Sequence, residues 1–353
     1  MTDLDDLDLA NLDPEGMLAT VERSGELWRE AVSLSQQLSG DRAARRPTAV
    51  LVAGMGGSGI AGDVAALAAD RMGTMPVVAV KGYELPRWVG ADHLLIAVSY
   101  SGNTEETLTL VDAATSRGCR VATVTSGGQL SDRPAAISWM RARIPGGGQP
   151  RANLPFLAMP VLGILAACGA LPEELWSQAD GVARAVEEKA RDWGHGAPQS
   201  ANPAKQVAHA LHGTIPVLYG GRGVGALVAQ RGKCQINENA GQPAFANEVP
   251  ERDHNELVGW GGDTSRFAVL ELRSPVDEHH QTTRRFEAAD DLIGAPRHMH
   301  ELTGRTWLER FAVGALFVDL VSVYLAFLAG TDPTPVEPIE RLKRQISEEA
   351  TSA

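Results

Sequence analysis

Cysteine, clustered positive charge and uninterrupted apolar runs are all scarce in this chain, and each shortage closes off a class of protein. Among 353 residues the only cysteines are Cys119, Cys168 and Cys234. An odd number, widely separated and outside any Cys-x-x-Cys spacing, argues against a disulfide scaffold and for reduced thiols in a cytosol. Lysine and arginine number 32 against 44 acidic residues, a net charge of −12. Neutralising a phosphate backbone needs clustered Lys and Arg, so the balance argues against generic nucleic-acid binding. Residues Met1 to Pro14 are acidic, without the basic flank and apolar stretch of a secretory signal; the expected location is cytoplasmic. Paired histidines are few: His209-x-x-His212, His298-x-His300 and adjacent His279-His280, none in an H-E-x-x-H frame or beside cysteines. They read as helix-surface or strand positions, and no metal is expected.

One apolar run is long. Phe311 to Gly330 has the length of a membrane span, but Asp319 sits in its middle, with Glu309 and Arg310 just upstream. A carboxylate at a bilayer centre costs roughly 2.5 to 3.5 kcal/mol. A helix buried between the layers of an α/β domain explains the run better, and no membrane association is expected. With 44% hydrophobic and 22% charged residues the composition is ordinary globular, with core enough for two domains.

Along the chain, Gly16 to Leu38 has helical periodicity, stopped by Ser39-Gly40-Asp41. Apolar, β-branched runs follow at Thr48–Ala53, Pro76–Val80, Leu94–Val98, Arg120–Thr125 and Ile137–Ile144, most of them separated by helix-compatible segments. That alternation predicts a parallel sheet with helices on both faces. Beyond the loop Pro145 to Pro150, Leu154–Ala170 and Pro172–Trp193 read as helices. A second α/β unit opens near Asn202: helix Ala204–Leu211, strand Ile215–Tyr219, a glycine turn Gly220-Gly221-Arg222-Gly223 into a helix, strand Phe267–Leu272, helix Val276–Leu292, a short segment Arg297–Leu302 and the long helix Thr306–Leu328. A turn at Thr331 to Val336 leads to a last helix, Pro338–Glu348. The expected division is an N-terminal helical arm (1–45), a first α/β unit (46–170), a linking helix (171–201), a second unit (202–330) and a C-terminal turn and helix (331–353).

The chemistry is concentrated at strand ends. Ser99-Tyr100-Ser101-Gly102-Asn103-Thr104-Glu105-Glu106-Thr107 follows the third strand, and Gly54-Met55-Gly56-Gly57-Ser58-Gly59 follows the first. Hydroxyls of Ser99, Ser101 and Thr104 can each donate a hydrogen bond, glycines let the backbone approach, and a helix start adds N–H groups and a positive dipole end. Ligands of such sheets bind outside the carboxyl ends of the strands, so the two turns predict a phosphate pocket. The bland alternative is an ordinary helix cap, with Ser101 and Glu105 or Thr104 and Thr107 as a near capping box. The second unit has a glycine turn but no Ser/Thr cluster, which places one phosphate site in the chain.

These turns, with Pro150-Arg151, Asn237-Glu238-Asn239-Ala240, His254-Asn255-Glu256, Val258-Gly259-Trp260 and Asp332 to Val336 with Lys343, resemble the bifunctional phosphoglucose/phosphomannose isomerases. The resemblance spans nearly the whole chain. It implies two sugar-isomerase (SIS) subdomains, each a mainly parallel sheet in a three-layer α/β/α arrangement. It further implies that Gly57, Ser58, Ser99, Ser101 and Thr104 bind the sugar phosphate, that Glu238 moves the C2 proton, that His254 assists ring opening, and that Arg151 and Lys343 complete the site. It implies a hexose 6-phosphate substrate, no cofactor, and a homodimer in which His254 comes from the neighbouring subunit. Gly241, where lysine is common, and the charged Glu251-Arg252-Asp253 depart from the family pattern beside the site.

The residue types suit the reaction on their own terms. Aldose–ketose isomerisation opens a hemiacetal and moves a proton between adjacent carbons; one carboxylate shielded from water can take and return it. A cation such as Arg151 stabilises the cis-enediolate, and a histidine near neutrality shuttles the ring-oxygen proton. Each residue also has a structural reading: Glu238 and Lys343 as solvated helix residues, His254 as a loop histidine paired with Asp253 or Glu256, Arg151 as a loop cap. Three rival functions are weaker. A dinucleotide fold would use Gly54-x-Gly56-x-x-Gly59, yet its second strand ends at Lys81 where an acidic residue is needed. A non-catalytic phosphosugar sensor would not need Glu238, Arg151 and His254 together. A metal-dependent isomerase lacks ligand spacing.

Overall fold

The protein is described by a computed structural model covering residues 2–38, 45–133 and 138–352. After helix α1 (Ser24–Gln36), the first unit consists of β1 (Val50–Ala53), α2 (Gly56–Met72), β2 (Val77–Val80), β3 (Leu94–Val98), α3 (Glu105–Ser116), β4 (Arg120–Thr125), β5 (Ser138–Arg143) and α4 (Leu154–Ala167). Helix α5 (Val182–Trp193) precedes the second unit. That unit has α6 (Pro203–Leu211), β6 (Ile215–Gly221), α7 (Val224–Asn239), β7 (Phe245–Val249), β8 (Phe267–Arg273), α8 (His280–Ala288), β9 (Arg297–Glu301) and α9 (Trp307–Leu328), and α10 (Glu337–Ser352) ends the chain.

Both sheets are parallel throughout, in the orders β2-β1-β3-β4-β5 and β7-β6-β8-β9. Every residue of β1 and β3 is buried. That is why these strands are continuous apolar runs: crossover helices cover both faces, so no position is left to water. The two units are topologically alike, β6 and β8 standing where β1 and β3 stand. The fold is thus the expected pair of three-layer α/β/α subdomains.

The long apolar run is α9, buried along its whole length and packed against α5, α6 and α7. It is long and apolar enough to cross a membrane by length and composition, and here it lies inside the protein. Thr306 caps it by accepting a 3.1 Å bond from the Glu309 N–H. Gly330 stops it at φ +68, where Thr331 N–H turns back to the Ala326 carbonyl at 2.9 Å. Apolar side chains from α4, α9 and both sheets form one cluster that also takes in Trp28 of α1. A fully buried Leu or Phe contributes about 1.5 to 3 kcal/mol, so the two units share a core rather than merely a linker.

Several elements differ from expectation. The stretch Pro172–Trp193 is two helices, Leu175–Ala179 and α5, broken where Gly181 adopts φ +87. Likewise Gly16–Leu38 divides at Arg23 into Met17–Glu22 and α1. Helix α4 ends at Ala167, three residues short of the predicted end, because Gly169 takes φ +77. The expected helix Val276–Leu292 shrinks to α8, since Glu278 is spent holding the loop. Its carboxylate accepts bonds from Arg273 and from the Ser274 N–H at 2.9 Å, and its Cγ lies against Gly221. Strand β7 has no predicted counterpart: Phe-Ala-Asn-Glu-Val is short, half polar and at a sheet edge. The Ser39-Gly40-Asp41 stop and Ile137 lie outside the described residues.

Candidate active site

The carboxyl ends of β1 and β3 launch the two turns. After β1, Met55 is the N-cap of α2 in an extended conformation and supplies no side-chain cap, leaving the helix start to other partners. Gly57 allows a close approach: a Cβ there would stand a tight 3.1 Å from the Arg151 nitrogen. Ser58, 6% exposed, accepts a 3.2 Å bond from the Tyr100 N–H and so ties the first turn to the second. In that second turn Ser99 and Thr104 hydroxyls lie 2.8 Å apart, Ser99 Oγ accepts from Gly102 N–H at 3.0 Å, and Ser101 Oγ accepts from Asn103 N–H at 3.2 Å. Gly102 has φ +72, and a Cβ would lie 1.8 Å from the Gly127 carbonyl oxygen; no other residue fits.

Thr104 is the N-cap of α3, yet its side chain makes no cap bond and turns to Ser99 instead. The capping-box alternative therefore does not describe this turn. Ser101 is exposed and Thr104 half-buried, so the turn presents hydroxyls at the strand end. The Tyr100 hydroxyl accepts from Gly148 N–H at 3.1 Å, which fastens the same turn to the loop that carries Arg151.

Arg151 sits in a single 3-10 turn, Pro150–Ala152, and is 3% exposed. Four of its five N–H groups are engaged: Nε donates to Asn239 Oδ1 at 2.6 Å, Nη1 to Gln149 Oε1 at 3.2 Å, and Nη2 to the carbonyls of Pro333 and Thr334 at 2.8 and 2.7 Å. Nη1 also lies 3.7 Å from Glu238 Oε2. Glu238 is one residue before the end of α7 and 26% exposed in its side chain. Burial pushes its carboxyl above the ordinary value, against the pull of Arg151, Arg231 and Lys233. A carboxylate so placed is a stronger base than one in water.

These groups meet in a cleft between α2 and α7, lined by Gly56, Gly57, Asp63, Lys81, Arg151 and Glu238 among others. It is narrow, about 50 Å³, against the roughly 300 Å³ or more of ordinary ligand pockets. A larger depression of about 570 Å³ lies at Glu22, Arg29, Glu187 and His195. There the polar groups pair with one another, Arg29 with Glu187 and His195 with Glu22; the narrow cleft is the candidate site because it brings Glu238, Arg151 and Gly57 together.

Of the predicted residues, Gly57, Arg151 and Glu238 line one cleft, with Ser58 and the turn bearing Ser99, Ser101 and Thr104 hydrogen-bonded behind them. His254 and Lys343 are not among its lining residues. His254 ends a 3-10 turn after β7 with its side chain exposed; Arg252, pressed over the rings of Tyr219 and Phe286 and paired with Asp253, anchors that turn. Lys343 is exposed on α10. Among the described residues no group of three or more His, Cys, Asp or Glu is placed to hold a metal.

Sequence reasoning passed over Arg231, Asp319, Lys81 and Asp63. Arg231 stands seven residues before Glu238, two helical turns along the same face, and that spacing was a usable signal. Asp319, noticed only as an obstacle to a membrane span, faces α7: Arg231 donates to it at 2.8 and 2.6 Å and Gln235 at 2.8 Å. Lys81 Nζ donates to Asp63 at 2.6 Å at the cleft's edge.

Residues 45–135 match the SIS domain family, and residues 200–346 match the bacterial phospho-glucose isomerase C-terminal SIS domain. A bifunctional phosphoglucose/phosphomannose isomerase from Aquifex aeolicus is 34% identical over 307 residues, covering 85% of this chain and 91% of that protein. The chain belongs to this family. A second member of the same name, from Caldicellulosiruptor bescii, is 31% identical over 337 residues, 94% of this chain and 99% of the relative. In three dimensions a glucose-6-phosphate isomerase like protein from Thermus thermophilus superposes with a TM-score of 0.60 at 20% identity, covering 98% of this chain and 99% of that one. The chain is accordingly an isomerase built on two SIS subdomains.

Proposed function

We propose that the protein interconverts fructose 6-phosphate with glucose 6-phosphate and with mannose 6-phosphate, through a cis-enediolate and without a metal. One observation carries the reading: the half-buried, base-strengthened Glu238 carboxylate lies 3.7 Å from the Arg151 guanidinium in a cleft bordered by Gly57 of the first strand-end turn. The phosphate is held by the Ser99, Ser101 and Thr104 hydroxyls, with Gly57 and Ser58 beside them, which sets C1 and C2 toward α7. Glu238 takes the C2 proton of the open-chain aldose and delivers it to C1, and Arg151 stabilises the negative charge that develops on oxygen. Because four bonds fix its guanidinium before the reaction, little reorganisation is needed when that charge appears.

His254 assists ring opening from the neighbouring subunit of a homodimer. Its exposure on a well-anchored turn, away from its own chain's cleft, suits that role. Lys343 is assigned to the same composite site, and the enzyme to the cytoplasm. A non-catalytic sensor is not favoured, since it has no use for a raised carboxyl beside a fixed guanidinium. The test is steady-state turnover of fructose 6-phosphate in the presence of a chelator, with glucose 6-phosphate and mannose 6-phosphate measured separately. Both products are expected. Binding without turnover would overturn the proposal in favour of a sensor.

A further inference from the structure

We propose that Asp319 and Arg231 form a positioning pair that fixes the catalytic arginine, an inference that rests on the isomerase reading of Arg151 and Glu238. Asp319 is the one acidic residue in the apolar run 311–330, where a lone carboxylate is costly unless paired. Its two oxygens receive Arg231 Nε at 2.8 Å and Nη2 at 2.6 Å, and Gln235 Nε2 adds a third bond at 2.8 Å. The fork leaves Arg231 Nη2 aimed past Asp319 at the Arg151 backbone, to whose carbonyl it donates at 2.9 Å.

A second strut runs in parallel. Asn239 accepts from Arg151 Nε at 2.6 Å and donates to Ser322 Oγ at 2.8 Å, and Ser322 donates to the Asp319 carbonyl at 2.7 Å. Main chain and side chain of Arg151 are therefore both referred to one turn of α9. Arg231 and Asp319 side chains are only 4% and 10% exposed, so solvent does not substitute for either. A buried ion pair is weak as a source of stability, because desolvation cancels most of its attraction. Its value here is geometric: α9 belongs to the shared core, and the pair transmits that rigidity to the loop at the cleft.

The decisive variants are Asp319→Asn and the charge-neutral double variant Asp319→Asn with Arg231→Gln, which removes both buried charges together and keeps the test independent of whether the single variant folds. Turnover of fructose 6-phosphate and melting temperature are measured beside wild type and Glu238→Gln. Misplacing a catalytic group by about 1 Å costs on the order of 100-fold. The expectation is a 10- to 100-fold fall in kcat for the folded double variant, with KM within about threefold of wild type. A purely structural pair predicts a changed melting temperature with wild-type kcat per folded molecule, and that result would overturn the inference. If wild type turns over the substrate and Glu238→Gln does not, while the double variant equals wild type, only the positioning role falls. If wild type itself is inactive, the isomerase reading falls, and this inference with it.

Discussion

Replacing Glu238 with glutamine keeps the side chain's shape and removes its basicity, so one substitution addresses both chemistry and stability. At 3.7 Å from Arg151, and with an effective dielectric of roughly 20, the attraction between the two charges is about 4.5 kcal/mol. Burial nonetheless holds the Glu238 carboxyl above its ordinary value, so desolvation outweighs that attraction. The linkage sign follows. Between the ordinary and the raised value the folded chain keeps a proton that the unfolded chain has lost, so stability falls as pH rises through that window. Above that window the ionised Glu238 is therefore a local cost to the fold.

Glutamine relieves it, and the variant is expected to melt at or above the wild-type temperature. Activity moves the other way: loss of a general base predicts a fall of about 10² to 10⁴ in kcat, at least about 2.7 kcal/mol in barrier. In the wild type, activity should rise with pH through a limb above the ordinary carboxylate range, and that limb should be missing from whatever activity the variant retains. Turnover of fructose 6-phosphate, together with deuterium wash-in at C2 from heavy water, measures the step directly. A variant within tenfold of wild type, or one that still exchanges the C2 proton at the wild-type rate, would refute the assignment.

Two further outcomes test the rest of the site. Ser101→Ala removes one exposed hydroxyl from the strand-end turn; losing a hydrogen bond to a charged group costs roughly 1.5 to 3 kcal/mol, so KM should rise about 10- to 100-fold while kcat stays within a few-fold, and a fall in kcat alone would contradict a binding role. Refolding an equal mixture of Glu238→Gln and His254→Asn chains should restore about a quarter of wild-type activity, because half the dimers are mixed and each then holds one intact composite site. An inactive mixture, with both parents inactive, would place His254 in its own chain's site or outside catalysis.

Much of this arrangement was legible in the residues, for particular reasons. Strands β1, β3 and β4 are buried on both faces and so betray themselves as apolar runs, and the turns after β1 and β3 carry hydroxyls and glycines that only strand-end chemistry explains. Gly102 is a local necessity and reads as one. Strand β7 was invisible because an edge strand can be short and polar, and the break at Gly181 depends on a left-handed conformation that a run of good helix formers masks. The Asp319–Arg231 pair was hidden for a deeper reason. Its members are separated by 88 positions, and a periodicity argument sees each helix alone, whereas the pairing exists only where α7 crosses α9. Glu238 and Arg151 face one another for the same reason, and no spacing along either segment announces it.

The Glu278 carboxylate wedged against Gly221, held by Arg273 and Ser274, gives the duplicated architecture a division of labour. It stands at the ends of β6 and β8, the counterparts of the strands whose turns carry Ser58 and the Ser99–Thr104 hydroxyls in the other half. Where the first half leaves hydroxyls at its strand ends, the second has an ion-paired side chain in residence; under the proposed reading that half grips no sugar of its own, and its part is to supply Glu238 from α7.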